Sequence, residues 1–343
     1  MEKAAGRFGA FLKRKDINIS LRVYFIDAMG AMAYGLFTSL LIGTIFSTLG
    51  NELGIPFFIE LADFAKDATG AALGISIAWA LKSPKLVLFS SAAVGLAGNA
   101  LGGPVGAFIA TIIAAELGKL VYGETKVDII VTPAVCIVSG VAVAMLAGPA
   151  VSALMTAFGS LIMTATSMQP IIMGIIVSAL MGIALTLPIS SAAICIMLNL
   201  GGIAAGAATA GCCAQMIGFA VMSFKENRWG GLIAQGLGTS MLQMPNIIKN
   251  PRIWIPPTLA SMITGPIATS VFGLKNIPVG AGMGTCGLVG PFGIISAMPE
   301  GGASMWIGIA LVCFILPAVL TLLFSTVLRR IGWIKEGDLK LQQ

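Results

Sequence analysis

The sequence predicts an all-α integral membrane protein: a polytopic helical bundle of about eight to ten spans with two re-entrant hairpins. Three observations carry that prediction. Hydrophobic residues make up 57% of the 343-residue chain and charged residues only 10%, whereas an ordinary soluble domain carries about 25% charged residues. Between Ile129 and Phe224 there is no Asp, Glu, Lys or Arg, a run that suits lipid and not an aqueous surface. Two later apolar stretches repeat a glycine-paired, proline-interrupted pattern, which breaks helices where an uninterrupted span would otherwise run.

The elements follow in chain order. Segment 1–20 places Lys3, Arg7, Lys13, Arg14 and Lys15 beside Phe8, Phe11 and Leu12, and reads either as an amphipathic helix on the cytoplasmic surface or as a disordered basic tail. The charge-free run 28–51 supplies the first span and is too long for a signal-peptide core of roughly 7–15 residues, so no cleavage is expected. Residues 56–81 are interrupted by Glu60, Asp63, Lys66 and Asp67 and make a poorer span. The run 86–115 together with its flanks exceeds one crossing. Its Gly95, Gly98, Gly102 and Gly103 either let helices approach closely or, with Pro104, break the span.

Punctuation in the longest uncharged run suggests three spans near 129–158, 170–199 and 204–224. Runs 229–248, 253–274, 276–299 and 301–328 complete the set. Residues 21–330 thus form a single transmembrane domain, with hairpins near 230–250 and 277–302 and a cytoplasmic tail at 331–343. Basic clusters at the N-terminus, Lys82/Lys85, Lys225/Arg228, Lys249/Arg252 and Arg329/Arg330/Lys335 place both termini in the cytoplasm of a plasma-membrane protein by the positive-inside rule.

The same inventory excludes several chemistries. A net charge of +6 follows from the loop bias and gives no reason to expect nucleic acid. The chain has no His, so an imidazole acid, base or phosphoryl acceptor is ruled out. All six cysteines lie in apolar runs, where a thiol behaves as a small hydrophobe, and the Cys212-Cys213 pair lacks zinc-site spacing. No catalytic residue, metal site or cofactor is expected.

The candidate site comes from an internal repeat. "GLGTSMLQMP" (236–245) and "GMGTCGLVGP" (282–291) share Gly-x-Gly-Thr-x-x-Leu-x-x-Pro at identical spacing. Irregular backbone at membrane depth survives only where protein buries it or a water-filled cavity hydrates it, and paired broken segments in a transporter point to the substrate site. Uncharged hydrogen-bonding residues gather near such breaks. Gln243 and Asn246 flank Pro245, Ser190 and Ser191 follow Pro188, and Thr239, Thr285 and Gln215 lie in neighbouring apolar runs. They suit a neutral, hydroxyl-rich solute. Glu300, the only carboxylate between Glu226 and Glu336, reads either as a residue of an exposed loop or as a buried solute-facing acid. Asp27 is expected to snorkel or to pair with Arg22.

The blocks 187–221, 231–257, "GMGTCGLVGPFG" (282–293) and "GWIKEGDLKL" (332–341) resemble the integral-membrane enzyme IIC components of the sugar phosphotransferase system, specifically the stand-alone IIC-like, perfringolysin O regulator-like branch. Residues 131–154 are similar, more loosely, to the fructose-type IIC segment ending in Gly-Pro. The resemblance implies a homodimeric bundle with two re-entrant hairpins that carries a sugar or other small polar solute across the bilayer. It also implies partner IIA and IIB proteins that supply the phosphoryl group. Aligned on Pro188, Ala184, Ser190 and Ser191 stand where fructose-type proteins have Asp, Asn and Lys. The sugar-binding Glu motif of related branches falls either on Gly293-Ile294-Ile295-Ser296, with Ser replacing Glu, or on Glu300-Gly301. The expected function is therefore an alternating-access permease, with a membrane-embedded ligand sensor of the same fold as the alternative.

Overall fold

The computed structural model describes residues 11–341. Its ordered elements are helices, and among the described residues the one β-type pairing is an isolated bridge between Gly202 and Asn276. Five helices are long and apolar enough to cross a membrane: α1 (Val23–Asn51), α4 (Lys85–Val121), α5 (Asp128–Thr166), α8 (Gly202–Met222) and α14 (Gly302–Arg330). Shorter apolar helices are α3 (Thr69–Ala80), α6 (Pro170–Thr186) and the segment Cys286–Ala297. The chain is an all-helical membrane bundle, as its composition predicts. Its contacts divide it into two compact units. One holds the chain up to Leu40 with Phe64–Ala153, and the other holds Leu41–Asp63 with the chain from Leu154 onward.

The first unit is built on glycine contacts. Within α4, Gly102 (φ −146°) and Gly103 (φ +60°) leave the helical region and Pro104 follows. The chain reverses there. A Cβ on Gly98 would sit 2.6 Å from the Cα of Ala107, and one on Gly118 2.9 Å from the Val87 side chain, so arms 85–101 and 104–121 run back along each other. Each arm is about 25 Å long at 1.5 Å per residue. The two roles open for these glycines are both taken: Gly98 packs and Gly102-Gly103 turns. Helix α3 lies on the first arm, so closely that a Cβ on Gly70 would sit 2.7 Å from the Cα of Leu96. Helix α5 lies along both arms, with Gly140 against Val94 and Ala114 and Gly148 against Leu101.

Charged groups collect at one end of this unit. Arg14 and Lys15 reach Glu124 at 2.8 and 2.6 Å, and hydrogen bonding to Lys15 holds the exposed Glu124 carboxyl below the usual carboxylate range. The buried Lys119 ammonium bonds Glu116 at 3.3 Å and the Asp16 carbonyl at 3.2 Å. Asp27 makes no ion pair with Arg22 and instead lines a recess of about 590 Å³ with Lys13, Asp16, Lys82, Glu116 and Lys119. Of the segment expected to be amphipathic or disordered, residues 1–10 lie outside the described chain, and 11–14 form one helical turn.

The second unit packs around α8, which is far more deeply buried than α5. Gly182 of α6 lies against Gly211, and Gly218 lies against Thr321 of α14 and Pro257 of α11 (Ile255–Pro266). One expected span is corrected. Residues 170–199 are not a single helix, because Leu187 turns extended (ψ 156°) ahead of Pro188, the conformation that a following proline imposes. A short α7 (Ser191–Met197) follows the break.

Candidate functional site

Both repeated Gly-x-Gly-Thr segments are broken. In the first, α9 (Phe224–Ile233) widens into a looser turn at Ala234–Gly238, and Thr239 is fully extended (φ −158°, ψ 143°). A tight turn over Ser240–Gln243 then leads into α10 (Met244–Lys249). The Thr239 hydroxyl caps this turn by accepting from the Met241 amide at 3.1 Å. Pro245, at the start of α10, needs no amide donor there.

Buried amides form a chain along this segment. Gln235 Nε2 donates to the Ser223 hydroxyl at 2.9 Å, Gln243 Nε2 to Gln235 Oε1 at 2.8 Å, and Asn246 Nδ2 to Gln243 Oε1 at 2.8 Å. Gln243 Nε2 also donates to the Leu339 carbonyl (3.0 Å), and Asn246 Nδ2 to the Lys340 carbonyl (2.9 Å). An unpaired group here would cost about 1–3 kcal/mol.

The second segment is broken by backbone alone. Gly284 (φ +54°), Gly287 (φ +51°) and Leu288 (φ +61°) all take the left-handed conformation. A Cβ on Gly284 would lie 2.8 Å from the backbone of Cys212 in α8, so only glycine fits on both counts. Asn276 ties the ends together: its Nδ2 donates to the Thr209 hydroxyl (2.7 Å) and the Gly290 carbonyl (3.0 Å), while its Oδ1 accepts from the Ile277 amide (2.7 Å).

The two segments meet. Thr285 Oγ1 donates to the carbonyl of Gly236, the first residue of the other repeat, and Ser191 Oγ donates to the carbonyl of Gly282 at 2.6 Å. Ser190, half-buried, caps α7 by accepting from the Ala193 amide. Of the residues singled out from sequence, Ser190, Ser191, Thr239 and Thr285 therefore belong to the broken segments and their contacts. Gln215 lies fully buried in a different network. Its Oε1 accepts from Trp254 Nε1 (3.1 Å) and Thr186 Oγ1 (3.3 Å), its Nε2 donates to Thr258 Oγ1 (3.1 Å), and Thr186 continues to Ser240 at 2.8 Å. Gln243 and Asn246 bond each other and the tail. Glu300 is exposed in the turn between α13 (Val289–Ala297) and α14, and among the described residues it has no side-chain hydrogen bond or ion pair.

Sequence reasoning missed Asn276, Asn227, Trp254 and the tail carbonyls. Asn276 had a signal, since it stands between Lys275 and Pro278 at the mouth of an apolar run. Backbone carbonyls have none. Among the described residues no group of three or more Cys, Asp or Glu side chains is placed to hold a metal ion, and the six cysteines are buried and unbridged. What remains is a seam of hydroxyls, amides and irregular backbone without a charged side chain of its own, which can exchange hydrogen bonds with a neutral polar molecule but holds no nucleophile and base pair.

A family model described as "Phosphotransferase system, EIIC" matches residues 26–341. No match was found among curated proteins or among solved structures.

Proposed function

The chain belongs to the phosphotransferase-system EIIC family, and on that premise we propose that it carries a sugar or other small polar solute by alternating access, with the solute held where the two Gly-x-Gly-Thr segments meet. The observation that carries this reading is the Thr285-to-Gly236 hydrogen bond, which joins two helix breaks from separate apolar runs. Breaks of that kind leave backbone donors and acceptors that a hydroxyl-rich solute satisfies on entry. Ser190, Ser191, Thr239 and Thr285 supply hydroxyls to that solute. Gln215, Gln243 and Asn246 hold the surrounding helices, and Glu300 stands outside the constellation. An uncharged lining favours a neutral solute, because an ion would go unpaired there.

Phosphoryl transfer, in this reading, is the work of separate IIA and IIB proteins meeting the cytoplasmic side, where both termini lie. The two broken segments act as re-entrant hairpins. The protein works as a homodimer, and the exposed apolar residues of α5, including Val138, Met145 and Leu146, offer a surface for the second copy.

The test is uptake of a panel of radiolabelled sugars and sugar acids into proteoliposomes holding the purified protein, with and without cytoplasmic phosphotransferase proteins. The proposal expects uptake of one sugar to appear or accelerate when those proteins are added. Binding without uptake under either condition would contradict it and leave the ligand-sensor alternative.

A further inference from the structure

The chain after α14 is not a loose end. Ile334 and Leu339 are buried to 2% and 0% exposure, and most of the polar contacts of this tail go to one partner, the segment 226–250. Asn227 clasps it from both sides, donating to the Leu339 carbonyl at 2.8 Å and accepting from the Leu341 amide at 2.9 Å. Gln243 and Asn246 donate to the Leu339 and Lys340 carbonyls. Asn250 donates to the Trp333 carbonyl (3.0 Å) and to Asp338 (2.8 Å), and the Arg252 guanidinium stacks 5.1 Å from the Trp333 ring centre. Glu226 bonds Arg329 at 3.2 Å and accepts from the Gly337 amide at 3.3 Å.

The residue after Asn227 shows what this clasp holds. Arg228 has φ +52° and ψ −152°, a conformation open to glycine and strained for any residue with a Cβ. Such strain persists only where the surroundings over-determine it. The tail supplies both hydrogen bonds of the Asn227 side chain, immediately before the strained residue, and Arg228 in turn precedes Gly231 and the start of the first Gly-x-Gly-Thr segment.

We propose that residues 332–341 are a latch. Docked, the latch holds the Arg228 turn and the first broken segment in the arrangement described above. Withdrawn, it lets Arg228 relax, frees the amides of Asn227, Gln243, Asn246 and Asn250, and lets the segment move. The inference rests on the reading of that segment as the moving part of a permease. The amide chain itself survives withdrawal, because Gln243 keeps Gln235 and Asn246 keeps Gln243. The latch is therefore separable from the fold.

Hydrogen–deuterium exchange of the full-length protein in nanodiscs, without solute, tests it. Leu339→Asp places a charge in a fully buried position and expels the tail. A second variant ends after Glu336 and removes the Leu339 and Lys340 carbonyls outright. Both are expected to speed exchange across 227–246 about tenfold, with arms 85–101 and 104–121 unchanged. Arg228→Gly, which removes the strain, is expected to cut that rise to about threefold or less when combined with either variant. Faster exchange confined to 332–341 would overturn the proposal, as would an equal rise in every helix, which would make the tail a general stabiliser. Because no solute enters the measurement, its result stands apart from the uptake panel: a failed panel sinks the permease reading, and a failed exchange pattern sinks the latch.

Discussion

The two Gly-x-Gly-Thr segments share a sequence pattern and hold their irregular backbone in opposite ways. The first relies on side chains. Its Gly236 is roomy, with the nearest atoms to a Cβ there at 3.6 Å, and its shape is kept by the Gln235–Gln243–Asn246 amide chain and by the tail carbonyls. The second relies on backbone, with three left-handed residues in five positions and Gly284 pressed on α8. A side-chain scaffold can trade partners one hydrogen bond at a time. A backbone wedged against a buried helix cannot. On the latch proposal the first segment is the one expected to move, and the second the one expected to stay anchored.

Glycine substitutions should separate the two most sharply. Gly284→Ala forces a Cβ into the α8 backbone in a left-handed conformation, and is expected to cost about 2–4 kcal/mol from overpacking and backbone strain together. Gly236→Ala is expected to cost less than about 1 kcal/mol, since its neighbours lie at ordinary contact distance. Thermal denaturation in detergent compares them, and equal losses would break the contrast.

A second comparison concerns amides. Asn276→Ala strands the Gly290 carbonyl and the Ile277 amide in the anchored segment, and should lower stability by about 2–3 kcal/mol. Gln243→Ala is expected to cost about 1–2 kcal/mol, because water reaches the tail side once that contact opens, and also to hasten tryptic cleavage at Lys335 and Lys340. If Asn276→Ala also loosened the tail, the two segments would not be mechanically distinct. The smallest effect belongs to Glu300→Gln. An exposed turn residue without a partner should change stability by no more than about 0.5 kcal/mol and leave uptake intact.

How much of this was legible in the sequence varies with the kind of signal. Charge-free runs coincide with the five helices long enough to cross, but 229–248 and 276–299 are as free of charge and are broken. Paired glycines with a following proline fit either close packing or a break at Gly102-Gly103, and the chain reverses there. Pro188 is equally visible, yet the expected span 170–199 runs through it; the conformational limit on Leu187 ends the helix. The identity of hydrogen-bond partners was not legible. Gln243 and Asn246 are candidate solute ligands by sequence, and in the structure their amides donate to main-chain carbonyls more than ninety positions away in the chain. A carbonyl belongs to every residue and leaves no mark in composition or spacing. Glu300 reads from sequence either as a loop residue or as a buried acid, and its exposure favours the loop.

Equilibrium binding tests the central claim most directly, using whichever sugar the uptake panel identifies. The account predicts that Thr239→Ala and Thr285→Val each weaken the Kd at least tenfold, about 1.4 kcal/mol. Asp27→Asn, in the charged recess of the other unit, should leave it unchanged. Binding lost with Asp27→Asn and kept with both threonine variants would contradict the account and move the solute site to that recess.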